Sequence, residues 1–162
     1  MIPELRARVS LLNPVHFLAL GFGSGLAKFM PGTFGTLAAV PLVLISATSL
    51  DVSSYIALTL IVCVMGIVLC GKTAQDMQVH DHSAIVWDEV AGLFITLIAV
   101  PISWQTMVLG FLLFRLFDIV KPWPISFVDK HVHGGFGIML DDIIAGVFAL
   151  ATMHLVLYFN WI

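Results

Sequence analysis

Charge is what this sequence has least of. Seven Lys or Arg and ten Asp or Glu are spread over 162 residues that are 60% hydrophobic, and mean hydropathy is +1.06. That balance lies outside the range of soluble domains and leaves a polytopic membrane protein or an unusually apolar bundle. The net charge of −3 and a pI near 6.0 give no basic footprint, which argues against a nucleic-acid partner. Cysteine is nearly absent. Cys63 and Cys70 lie seven residues apart in one apolar run without a CxxC pairing, so they read as core thiols and not as a redox or zinc pair. There is no internal repeat, low-complexity tract or linker, and the length suits one domain, residues 1–162, of about five or six helices. The expected fold class is an all-α, membrane-embedded bundle with some short or re-entrant helices.

Known phosphate-handling signatures are missing too. Neither GxxxxGK[ST] nor a strand-helix-strand pattern occurs, so a P-loop and a dinucleotide fold are excluded. No DxDx[TV], KxxxxxxRP with PSGH, or CxxxxxR stretch provides an aspartyl, histidine or cysteine nucleophile.

What remains is apolar runs separated by polar blocks. Residues 1–20 read as a retained interfacial helix, Leu5 to Leu20, broken at Asn13-Pro14, in preference to a cleaved signal peptide. Gly21 to Thr36 reads as a glycine-rich loop, with Pro31 a plausible helix start. Two passes are expected next, Leu37 to Leu50, kinked or opened by Pro41, and Ser54 to Gly71, with the turn at Ser49 to Ser53. Lys72 to Glu89 forms a second polar block. Val90 to Phe114 is then either one tilted helix or a hairpin folded at Pro101 to Ser103, and Ile143 to Trp161 makes a last pass with Trp161 as an interfacial anchor. The hairpin puts all seven Lys and Arg on one face, as the positive-inside rule favours. Its first arm, Glu89 to Val100, is only about 18 Å long and so is re-entrant or buried.

The scarce charges are gathered. Arg115 to Asp142 holds seven of them, while Val90 to Phe114 and Ile143 to Ile162 hold none. Asp88-Glu89, Asp118 and Asp141-Asp142 all sit where an apolar run begins or ends. Adjacent like charges repel unless a cation or proton lies between them, and an oxygen-only donor set suits Mg²⁺. Capping of helix N-termini by Asp88 and Asp141 is the bland alternative. Arg115 and Asp118 share a helix face with Lys121 following, which makes either a snorkelling ion pair or a metal ligand, Asp118, beside two phosphate-holding cations. Ser24, Lys28, Thr33 and Thr36 are candidate donors to an anion, or simply part of a turning loop. His80-Asp81-His82 is too sparse for a zinc site, and His16 and His154 read as satisfied core residues.

Four ordered blocks, GFGSGLAKFMPGTFGTLAAVP, IVWDEVAG, RLFDIVKPWPI and GGFGIMLDDIIAG, closely resemble the phosphatidylglycerophosphatase A family of bacteria, from about Asn13 to the C-terminus. The resemblance implies an all-α, Mg²⁺-dependent lipid phosphatase of the inner membrane. It would remove the terminal phosphate of phosphatidylglycerophosphate at the cytoplasmic face, in phospholipid biosynthesis. Asp88, Glu89, Asp118, Asp141 and Asp142 are then the expected metal ligands, four of them (all but Asp141) also catalytic. Ser24, Lys28, Thr33, Thr36, Arg115 and Lys121 are the expected substrate contacts. The rivals are a small transporter or proton-coupled channel lined by the same acids and a non-catalytic assembly subunit. The oligomeric state stays open.

Overall fold

The computed structural model describes residues 8–79 and 82–161. Among them there is no strand. Seven α-helices and one 3₁₀ turn follow one another, five of the helices being ten residues or longer.

A long hairpin comes first among the large elements. Helix α2 (Pro31–Ser49) starts on Pro31, whose missing N–H costs nothing at a first helical position. Helix α3 (Val52–Met77) starts after Asp51, whose carboxylate accepts the Ser53 and Ser54 amides at 3.1 and 3.4 Å. The turn falls where the sequence places it. The expected loop does not extend to Thr36, because residues 31–36 form the first turns of α2, and Pro41 lies inside an unbroken helix. Likewise α3 runs past Gly71 to Met77 and takes in a Lys72–Asp76 pair at 2.5 Å.

The second hairpin decides the topology. Helix α4 (Trp87–Thr96) and helix α5 (Trp104–Val120) are separate, so the single tilted pass is excluded. Ala99 at φ 55° turns the chain, and a capping box starts α5, with Ser103 Oγ accepting the Thr106 amide at 3.2 Å and Thr106 Oγ1 accepting the Ser103 amide at 2.8 Å. At ten residues, about 15 Å, α4 is too short to span a bilayer of about 30 Å. It is instead the centre of the bundle, with nine of its residues buried. Tyr55 Oη donates to the Phe94 carbonyl at 3.0 Å, and Trp87 Nε1 to the Val62 carbonyl at 3.1 Å. A Cβ on Gly146 would stand 2.8 Å from the Gly92 carbonyl, so glycine lets the last helix cross α4 at backbone distance.

Helix α6 (Ile125–His131) and helix α7 (Gly134–Tyr158) complete the chain. The glycines of 134–137 lie in the first turn of α7. Helices α2, α3 and α7 are each long and apolar enough to cross a membrane. Leu44, Ile45, Leu60, Ile61, Val64 and Val68 stand exposed on the first two of them, as lipid-facing side chains would.

At the start, helix α1 (Pro14–Ala19) begins at Asn13, and residues 8–12 are not helical; the remainder of the expected Leu5 to Leu20 helix lies outside the described residues. Asn13 accepts the Val15 amide at 3.0 Å, and a 3₁₀ turn (Gly21–Leu26) follows. His16 is a core residue, with Nδ1 accepting the Ser10 amide at 3.1 Å and Nε2 3.0 Å from Asp76. His154 is not, since it is exposed and reaches the Ile98 carbonyl at 2.9 Å. Cys70 is buried, Cys63 half-buried, and neither is in a disulfide.

Candidate functional site

Four helices build the site. The first turn of α4 supplies Asp88 and Glu89, the last two turns of α5 Arg115 and Asp118, the third turn of α7 Asp141 and Asp142, and the first turn of α2 Gly32 and Thr33. None of the acids is an N-cap. Val86 holds that place in α4 without a side-chain bond, and Asp141 and Asp142 lie well inside α7, so capping does not account for them. Asp88, Glu89 and Asp142 each present an oxygen within 4.8 Å of the others.

Arg115 ties the cluster together. Its Nη1 lies 2.5 Å from Asp118 Oδ2 and 3.5 Å from Glu89 Oε1, with all three side chains largely buried. Glu89 Oε2 and Arg115 Nε are buried and make no hydrogen bond among the described residues. Such orphaned groups are costly, of order 1–3 kcal/mol each or more when charged, unless a further partner is present.

Burial, the nearby carboxylate of Glu89 and that of Asp142 push the Asp88 carboxyl well above the ordinary range. Burial likewise raises Glu89, to about 7, with Asp118 adding to the rise while Asp88 and Arg115 oppose it. Both lie on α4, outside the spanning helices. Two acids that ionise reluctantly side by side, with the Asp142 carboxyl close by, are what a divalent cation reverses, because its charge is the largest local term. The donor set is oxygen only, which suits a hard cation such as Mg²⁺.

An open cleft of about 420 Å³ lies against this cluster, lined by Gly32, Thr33, Ser83, Glu89, Arg115 and Asp118 with Lys121 at its edge. Lys121 is already engaged, 2.6 Å from Asp129 and 2.7 Å from Asp141. Burial alone would lower its ammonium, but the two carboxylates outweigh that and raise it. It therefore ties α5, α6 and α7 together at the rim.

The glycine-rich donors divide. Thr33 lines the cleft, whereas Thr36 is fully buried and its hydroxyl donates to the Gly32 carbonyl of its own helix at 2.9 Å. Lys28 is exposed, and Ser24 Oγ is buried without a hydrogen-bond partner among the described residues; neither lines the cleft. His80 and Asp81 of the weak zinc motif lie outside the described residues, and His82 Nδ1 accepts the Ala84 amide at 3.0 Å.

Sequence reasoning missed Gly32, Ser83 and Asp129. A Cβ on Gly32 would collide with Glu89 Oε1 and stand 3.0 Å from both Arg115 terminal nitrogens. Its signal was present but blurred by four neighbouring glycines.

The family model for Phosphatidylglycerophosphatase A matches residues 17–157. Phosphatidylglycerophosphatase A of Escherichia coli (strain K12) is 47% identical over 152 residues, covering 93% of this chain and 88% of that protein. The protein of the same name from Haemophilus influenzae is 47% identical over 152 residues, 93% of each chain. No solved structure matches.

Proposed function

The chain belongs to the phosphatidylglycerophosphatase A family, and from that premise we propose that it hydrolyses the terminal phosphate monoester of phosphatidylglycerophosphate, giving phosphatidylglycerol and inorganic phosphate in phospholipid biosynthesis. The observation that carries the reading is the meeting of Asp88, Glu89 and Asp142 within 4.8 Å, beside Arg115 and a cleft at the polar end of membrane-length helices. Asp88, Glu89 and Asp142 would hold Mg²⁺, with Asp118 and Asp141 next to them. Bound there, the ion supplies charge neutralisation at the phosphoryl oxygens and makes water more acidic.

The chain's own residues account for the rest. Arg115, pinned by Asp118 and Glu89, offers its remaining N–H groups to phosphate oxygens. The first turn of α2 adds the free backbone N–H groups and positive end of a helix dipole on the opposite wall. A cluster carboxylate takes the proton of the attacking water as its oxygen bonds to phosphorus. The ester P–O bond breaks, and the leaving alkoxide is protonated as the lipid alcohol.

Membrane placement follows from charge. Among the described residues the turns at 49–53 and 97–103 carry Asp51 as their one charge and no Lys or Arg. By the positive-inside rule the site faces the cytoplasm, in a bacterial inner membrane.

Purified protein in mixed micelles should release phosphate from phosphatidylglycerophosphate with Mg²⁺, stop on EDTA, and resume when Mg²⁺ is restored. Asp118→Asn should stay folded and lose turnover. Solute flux in liposomes without phosphate release would instead favour a transporter.

A further inference from the structure

Below the charged cleft, the same two helices carry a groove that no step of the chemistry uses. It holds about 250 Å³ between α2 and α5 and is lined by Leu37, Val40, Met107, Val108, Phe111 and Leu112. Its walls stand on the same two helices that supply part of the cleft. On α2, Thr33, Leu37 and Val40 recur at i, i+4 and i+7, and on α5 Val108, Leu112 and Arg115 do the same, so each helix presents one stripe to both sites. The stripe changes character within a single turn, about 5.4 Å, from Thr33 and Arg115 to Leu37 and Leu112. Leu37, Val108 and Leu112 are 55%, 51% and 57% exposed, so the groove opens sideways to the bilayer.

We propose that the α2–α5 groove receives one acyl chain of the phosphorylated lipid, which enters laterally from the bilayer while its phosphate rests on Arg115 and the first turn of α2. This rests on the hydrolase reading above and adds a route and a chain-binding subsite to it. A ligand spanning both sites must be anionic at one end and hydrocarbon at the other, which is the description of a phospholipid monoester. An ordinary boundary lipid has no reason to prefer this groove over any other apolar helix face, whereas the phosphorylated lipid is held at both ends.

The test fills the groove. Val108→Trp places an indole on an already exposed position, and the full chain is assayed with long-chain phosphatidylglycerophosphate and with its deacylated headgroup. The long-chain substrate should lose about tenfold in kcat/KM, equivalent to the burial of about two methylenes, chiefly through KM, while the headgroup is cleaved as before. Equal losses on both substrates, or none on either, would overturn the proposal.

A second arm needs no turnover. Phosphatidylglycerophosphate with a diazirine in one chain should label residues 37–40 and 107–112 in preference to equally labelled phosphatidylcholine, and Val108→Trp should abolish that preference. Equal labelling by both lipids identifies a boundary-lipid face and sinks the idea, as does a change of oligomeric state in Val108→Trp without loss of labelling. Preferential labelling by a protein that releases no phosphate would remove the hydrolase reading and leave the groove.

Discussion

Gly32→Ala separates the site from the fold. Gly32 is the second residue of α2, and its φ is not in the left-handed region, so alanine fits the backbone there. Helix propensity alone would make the variant up to about 1 kcal/mol more stable. The added methyl, however, collides with Glu89 Oε1 and presses at 3.0 Å on both terminal nitrogens of Arg115. These are ends of side chains, so they yield more readily than backbone, and the fold survives while the carboxylate and guanidinium shift. A misplacement of about 1 Å in a catalytic constellation costs on the order of 100-fold. Phosphate release from phosphatidylglycerophosphate and thermal unfolding in the same detergent should therefore move apart, with kcat down about 100-fold and the melting temperature unchanged or raised. Turnover within about twofold of wild type, or a collapsed melting temperature, would refute the role given to this glycine.

Three other substitutions probe separate links. Arg115→Lys keeps the charge but loses the planar guanidinium whose Nη1 reaches both Glu89 and Asp118, and should lower kcat/KM by about tenfold or more in steady-state assays. Thr36→Val removes a hydroxyl that bonds only within its own helix and should leave turnover within about twofold; a large loss of phosphate affinity would restore Thr36 to the binding site. Tyr55→Phe strands the Phe94 carbonyl at the end of α4 and should destabilise by about 1–2 kcal/mol in denaturant titrations, with low-temperature activity retained.

Most of the architecture was legible because composition and charge position are strong signals in a membrane. The α4–α5 hairpin followed from the positive-inside rule together with Pro101, and the Ser103–Thr106 capping box now gives its local cause. Helix starts were less legible. Five glycines and two threonines ahead of Leu37 read as loop, yet Pro31 begins a helix that close packing against Val86, Glu89 and Arg115 requires to be glycine-rich. Thr36 could not be distinguished from Thr33 by type, since which of the two faces the cleft depends on helical phase, and phase depends on where α2 begins. The grouping of Asp88, Glu89 and Asp142 was readable only as an expectation of convergence. Their separation is set by how closely α7 can cross α4, and that is decided by Gly92 and Gly146.

Binding of Mn²⁺ as a spectroscopic stand-in for Mg²⁺ addresses the shared-cation claim without relying on catalysis. Electron paramagnetic resonance titration of the wild-type protein should show a bound ion, weakened by more than about tenfold in Asp142→Asn and unaffected in Asp51→Asn at the opposite end of the bundle. If Asp142→Asn retained wild-type affinity, or Asp51→Asn lost as much, then α4 and α7 would not hold a cation between them.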